Sequence, residues 1–325
     1  MTIAPVDLFR RTAFAKAFEG ASLTAIDIGS RGGFDRELQS IAWSVNCIGF
    51  EPEPEAFAAL STTAKPWRSL KWLPTAVGAT TGGAILNVPP DGNGASLLTH
   101  DPVIGSRFGL EHLTQNSRPI AVETVTLDDA AARWALPPAD YLKLDVEGAE
   151  LSILQSAPRA LAAALAIKAE ASFVAARLNQ PRVSDMEQFL RGQGFTLMDI
   201  QNPARWRRRP VAPHPYAWAG APAYSRGQIA QCDLLFMRES AEDDVAGAMR
   251  AALLAMAFGF FDYAQGLFER PAVSEAVRRD WGIQIRPELA AASRRFGRHA
   301  TWATIRHDLR NLVPLLRSLA GGIPS

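Results

Sequence analysis

The chain has 325 residues, 48% of them hydrophobic, and a formal net charge of +1. That supports a full apolar core in one large domain, or one domain with an extension. It also excludes the strongly basic field of a nucleic-acid-binding chain. The longest strongly apolar run, residues 251–261, is too short to cross a bilayer, so no transmembrane segment is expected. Lys occurs only at positions 16, 65, 71, 143 and 168, and Arg supplies the rest of the 34 cations, a bias that reads as genomic base composition. Cys47 and Cys232 lie in apolar, strand-like runs without a CxxC pair. They read as free buried thiols of a cytoplasmic protein, with no metal cluster. Asp7, Arg10, Arg11 and Lys16 interrupt the amino-terminal region, so no signal peptide is expected.

In chain order, residues 1–23 predict a helical segment with Val6, Phe9, Phe14 and Phe18 as a rough stripe. A strand follows at 24–28, a helix at 36–42, a second strand at 44–50, a helix at 55–60 and a third strand at 70–77. A turn-rich span then contains a short alternating piece at 84–88, read as an extra strand or hairpin, and another extended piece covers 121–126. Residues 143–146 predict a strand that runs straight into a helix, and 165–170 predict the next strand. Ser184 with Glu187 three residues later has the pattern of a capping box at a helix start. The segments 195–200 and 232–237 predict two more strands, separated by an irregular stretch at 202–229. From Ser240 onward the pattern is helical throughout.

Strands alternating with helices predict a layered, mostly parallel sheet. The last two strands have only a loop between them, and a parallel pair would need a crossover, so the last strand is expected to be antiparallel. Seven strands ending this way outline the class I methyltransferase (Rossmann-like) sheet by fold analogy, with a C-terminal helical extension. The expected organisation is a helical segment at 1–23, the sheet domain at 24–239 and the extension at 240–325.

Three motifs carry the chemistry. Asp27-Ile-Gly29-Ser30-Arg31-Gly-Gly33 is the turn off the first strand: Gly29 allows the tight turn, and Gly33 lets the next element start close behind. The spacing is not the GxGxxG of dinucleotide folds. An acid at Asp27 suits the ammonium group of S-adenosylmethionine and would repel a pyrophosphate. Glu51-Pro52-Glu53 closes the second strand about 20 residues later, where a carboxylate can accept both hydroxyls of a ribose; Glu51 is best placed, and Glu53 is a candidate helix cap. Lys143-Leu-Asp145-Val-Glu147-Gly-Ala-Glu150 crowds three acids at the carboxyl end of a strand, where open α/β sheets bind ligands. Asp145 is the candidate acceptor-side base, Glu147 stands at the start of the helix, Lys143 can hold Asp145 ionised, and Glu150 reads as a first-turn acid. The plainer alternatives are a βα turn and a Lys143–Asp145 ion pair that fixes the strand end.

Together these segments resemble the FkbM family of S-adenosylmethionine-dependent methyltransferases. The resemblance covers about residues 24–238 and rests on Asp27–Gly33, Gly49-Phe-Glu-Pro52, Asn93-Gly-Ala-Ser-Leu97, Thr124-Val-Thr-Leu-Asp128, Leu142–Glu150 and Gly192-x-Gly-Phe195. Ser30-Arg31 replaces the family's usual Ala-Asn, and the tail after about residue 240 lies outside the family core. The resemblance implies S-adenosylmethionine as cofactor, held by Asp27, Gly29, Ser30, Arg31, Gly33, Glu51, Pro52, Ala76 and Asp145. It implies methylation of a hydroxyl on a glycan or secondary metabolite, with Asp145, Glu147 and Lys143 at the reacting end and Asn93 and Ser96 lining the site. Asp145, Glu147 and Glu170 could offer Mg²⁺ oxygen ligands, but three acids on separate strand ends are a loose signature and no metal is assigned. His100 reads as a surface-loop residue, and the basic cluster Arg205–Arg209 as a solvated loop able to meet an anionic acceptor. The tail's apolar stripes, including Trp302, Ile305, Leu309 and Leu312, predict packing on the domain or a homodimer; the accompanying arginines leave peripheral membrane contact as a lesser reading. The rival functions are an NAD-type oxidoreductase and a non-catalytic scaffold that keeps the fold.

Overall fold

The computed structural model describes residues 7–34, 37–61, 66–90, 92, 94–111, 117–208, 226–238 and 240–319. Val6, Asn93 and Arg209 lie outside them. The described residues form ten strands: β1 (Thr24–Ile28), β2 (Asn46–Phe50), β3 (Ser69–Leu73), β4 (Ala76–Val77), β5 (Gly82–Val88), β6 (Arg118–Val125), β7 (Tyr141–Leu144), β8 (Ala166–Ser172), β9 (Phe195–Trp206) and β10 (Gln228–Arg238). Seven make one sheet in the order β3-β2-β1-β7-β8-β10-β9. All neighbours are parallel except β10, which runs antiparallel to both β8 and β9. The mostly parallel sheet with an antiparallel last strand is therefore present.

Alternation along the strands divides the core. Ala25, Cys47, Tyr141, Leu235 and Met237 face one side, and Ile26, Ile48, Leu142, Ile167, Leu234 and Phe236 face the other. The first side is covered by Phe9, Phe14 and Phe18 and by the helix Val245–Phe258, whose Ala251–Met256 run is fully buried. Burial of each Leu there stabilises by about 1.5–3 kcal/mol. Arg250 on this helix holds Asp140 with two hydrogen bonds of 2.7 and 2.5 Å, and Asp140 also accepts from Thr24 N at 2.7 Å. The post-240 helices are thus tied to the amino ends of β1 and β7, opposite the site described below.

Several local expectations change. The strand expected at 70–77 is two strands, because Pro74 has no N–H for a ladder. After it the chain leaves the main sheet and enters a second one, β4-β6-β5, in which the pieces expected at 84–88 and 121–126 pair with each other. The strand before the acids ends at Leu144, so Asp145 already belongs to the turn. Among the described residues of the amino-terminal segment, helix spans Ala15–Ala21, and the Thr12 hydroxyl donates to Phe9 O at 2.7 Å in the turns before it. The element expected at 36–42 is a 3₁₀ helix, Glu37–Ser44. The helix Val183–Gly192 begins earlier than Ser184: Arg182 N donates to Asp185 at 2.8 Å, and Glu187 instead pairs with Arg191 one turn on. The strand expected to end at residue 200 continues to Trp206, because β10 is long enough to pair with it throughout.

Candidate functional site

The carboxyl ends of β1, β2 and β7 open onto a cavity of about 680 Å³ whose wall includes Gly29, Arg31, Glu51, Pro52, Ala76, Asp145 and Glu147. Three loops far apart in sequence meet here because β1 lies between β2 and β7.

Gly29 is required by its surroundings. Its φ is +85°, and a Cβ there would stand 1.9 Å from the Asp145 carbonyl oxygen. The β1 and β7 turns therefore touch through backbone, and Asp145 N donates to Ile28 O at 3.0 Å. Three of the loop's donors are committed: Gly29 N and Ser30 N both donate to Phe50 O, and Gly33 N donates to Ser30 O. A pyrophosphate cradle needs such groups free. The Ser30 hydroxyl donates to Asp27 O at 2.8 Å.

Asp27, Ser30, Gly33 and Lys143 do not line the cavity. Asp27 is fully buried, and Lys143 Nζ lies 3.2 Å from it, 3.3 Å from Asp145, and within 3.4 Å of the Gly29 carbonyl that it donates to. Asp27 thus lies behind the cavity lining, with Lys143 and the Gly29 turn between. Register places Asp27 beside Lys143 on the neighbouring strand, so Lys143 is the shared counter-ion of Asp27 and Asp145.

The two acids after β2 divide their roles. Glu53 accepts from Ala56 N at 2.7 Å, capping the helix Pro54–Ser61, and lies 3.9 Å from Arg31 and 3.7 Å from Arg118. Glu51 accepts from Glu53 N at 2.9 Å through Oε1, which leaves Oε2 for a ligand. Burial raises the Glu51 pKa.

At the β7 end Glu147 adopts φ +62°, uncommon for a residue with a side chain, and is held at both ends. The Ser96 hydroxyl donates to its carbonyl at 2.8 Å, and Arg177 donates to its carboxylate at 2.6 Å. Burial raises the Glu147 pKa despite Arg177. Arg177 is only 4% exposed and also reaches Gly94 O at 3.3 Å, so it links the glycine-rich segment to the acids. Gln180 accepts from Ala176 N and Arg177 N, donates to Ser172 at 2.9 Å, and packs over Gly148. Neither Arg177 nor Gln180 is apparent from a motif; their one sequence signal is a loop directly after a parallel strand. His100 is buried rather than on a surface loop, and its backbone bridges to Arg177. Ser96 is buried beneath the cavity wall rather than on it.

Glu150 caps the turn that carries the acids, accepting from Val146 N at 2.9 Å and Gly148 N at 3.0 Å, and burial pushes its pKa up to about 7. Glu170, on β8, has its pKa raised well above normal by burial and then by Glu147 and Asp145. Asp145, Glu147 and Glu170 can each offer an oxygen within 4.8 Å of the others. That set has the chemistry Mg²⁺ accepts, although Lys143, Arg177 and Gln231 already engage the three. Arg205, Arg207 and Arg208 are exposed at the end of β9 and just beyond it.

The sheet order, its antiparallel strand and the cavity at the β1 turn define a class I methyltransferase. Residues 27–197, just over half of the chain, match the methyltransferase FkbM domain. The chain belongs to that family and is an S-adenosylmethionine-dependent methyltransferase. No curated protein matches it in sequence. Among solved structures, magnesium protoporphyrin IX methyltransferase (ChlM) from Synechocystis PCC 6803 with bound SAM is 9% identical, covering 70% of this chain and 80% of that one, with a TM-score of 0.31. A putative RNA methyltransferase from Pyrococcus horikoshii is 11% identical over 70% and 82% of the two chains, with a TM-score of 0.28. The 23S rRNA methyltransferase ErmE is 10% identical over 86% and 96%, with a TM-score of 0.30. Similarity this low says nothing about the acceptor.

The residues present fit the cofactor. Glu51 Oε2 offers an acceptor for ribose hydroxyls, Phe50, Leu60, Ala76 and Val77 give apolar walls for an adenine, and Gly32, at φ +80°, has open space where a Cβ would stand.

Proposed function

We propose that this methyltransferase acts on oxygen, transferring methyl to a hydroxyl of a glycan or secondary metabolite in the cytoplasm. The observation that carries the reading is that Asp145 and Glu147 share one cavity wall with Glu51. Carboxylates able to take up a hydroxyl proton therefore adjoin the place that suits the ribose. S-adenosylmethionine, when bound, supplies an electrophilic methyl on sulfur. Asp145, ion-paired with Lys143, accepts the acceptor's proton as its oxygen attacks. Glu147, clamped by Arg177 and Ser96, orients the acceptor, and a fixed geometry supplies much of the acceleration. Cys47 and Cys232 are free, buried thiols, which suits a reducing compartment.

The committed amides of the β1 loop count against the NAD reading. Titration calorimetry with S-adenosylhomocysteine and with NAD separates the two: tight binding of NAD alone would overturn the proposal, and binding of neither would favour the scaffold. Transfer of labelled methyl into carbohydrate and small-molecule fractions of a cell extract tests the acceptor class, and label in protein or RNA alone would refute it. A metal-dependent reading rests on the 4.8 Å acid cluster. The same assay with chelator decides it, and we expect activity to persist.

A further inference from the structure

The last helix, Ile285–Leu319, changes character midway. Its first half is anchored: Ile285, Leu289 and Ala292 are buried, and Phe296 packs against Phe9 and Phe261 with ring centroids 6.5 and 5.5 Å apart. In its second half Trp302, Ile305, Leu309, Leu312 and Leu316 are all exposed, Trp302 by 60% and Leu309 by 61%. Their spacing alternates three and four, so they form one stripe, about 21 Å long at 1.5 Å per residue. At 3.6 residues per turn this stripe is rotated about 150° from the face packed at 285–296. It is not a continuation of the chain's own core.

The charges around the stripe have one sign. Arg294 and Arg298 precede Trp302 on the same face, and Arg306 lines one margin; all three are exposed. Asp308 is the only acid between Leu289 and Leu319. A coiled coil with a second copy would suit the three-four spacing but needs complementary charges on its flanks. In a parallel pair Arg306 would face Thr301 of the other copy and meet no opposite charge, and the arginines of the two copies would repel. An apolar stripe with Trp at one end and arginine at its margin suits the headgroup boundary of an anionic bilayer.

We propose that residues 294–316 dock this protein peripherally on an anionic lipid surface. The helix lies in the interface, the stripe from Trp302 to Leu316 is inserted, and Arg294, Arg298 and Arg306 sit among the headgroups. The test is sedimentation of the full-length protein with vesicles of phosphatidylcholine alone and of equal parts phosphatidylcholine and phosphatidylglycerol. We expect co-sedimentation with the anionic vesicles only, weakened by salt. Arg298→Gln with Arg306→Gln should reduce binding about 25-fold, at about fivefold per arginine near such a surface. Leu309→Asn with Leu312→Asn should abolish it, while S-adenosylhomocysteine affinity stays unchanged and reports an intact fold. A blue shift of tryptophan emission on anionic vesicles should vanish in Trp302→Phe. Equal binding to both vesicle types would overturn the proposal. So would failure to bind either, whether the protein is monomeric or forms a dimer in lipid-free buffer that Leu309→Asn with Leu312→Asn dissociates; the latter outcome would assign the stripe to a second copy.

Discussion

Replacing Glu51 is the sharpest test of the cofactor site. Its Oε1 is occupied by Glu53 N at 2.9 Å, so Oε2 is the atom that would meet the ribose. A hydrogen bond to a charged group contributes about 1.5–3 kcal/mol. Burial already raises the Glu51 pKa, which offsets part of that gain. Glu51→Ala should therefore weaken S-adenosylhomocysteine binding by about 1–3 kcal/mol, roughly 5- to 150-fold. Glu51→Gln keeps the shape and one acceptor oxygen and should fall at the weaker end. Because the ribose needs the carboxylate, wild-type affinity should drop as pH falls through the raised pKa, sooner than for an ordinary glutamate, and this dependence should be lost in Glu51→Gln. Calorimetry measures the affinities, and thermal unfolding without ligand checks that the variants fold. A folded Glu51→Ala protein whose dissociation constant stays within about twofold of wild type, far below the loss expected from a charged hydrogen bond, would refute the ribose assignment.

Asp145→Asn should lower methyl transfer by the 10²–10⁴ typical of a general base with little change in cofactor affinity; a rate within about twofold makes Asp145 structural. Gly29→Ala should destabilise the fold and abolish cofactor binding, since its Cβ would overlap the Asp145 carbonyl and φ +85° disfavours any side chain; an unchanged melting temperature contradicts this. Glu150 has a raised folded pKa, so its contribution is fully present below about 4.5 and is lost as pH rises through about 7. Denaturant titrations should show that decline, on the order of 3 kcal/mol, and Glu150→Gln should flatten it. Ending the chain at Arg238 should yield insoluble protein, because the helix Val245–Phe258 covers one face of the sheet; a soluble, active product would show the tail to be an independent module.

What the sequence determined by itself is local. Two-residue alternation marks the strands, and glycines at 29 and 33 mark the turn off the first. Acids at 51, 145 and 147 stand directly after strand-like runs, at the sheet edge where ligands bind. The missing crossover before β10 revealed its antiparallel direction. Each signal is contained in a few neighbouring residues, so the chain itself carries it. Tertiary structure decided the rest. Strand register set Lys143 beside Asp27, and Asp27 is fully buried behind the cavity lining. Pro74 ended a ladder, but only sheet packing sent β4 to β6 and β5. Arg177 stands 30 positions from Glu147 and belongs to no motif, yet one loop lays it against that carboxylate. The apolar residues at 251–256 and the stripe of Trp302, Ile305, Leu309, Leu312 and Leu316 read alike in sequence. One run is core and the other is surface because burial depends on what the rest of the chain places opposite each helix face, which no local pattern records.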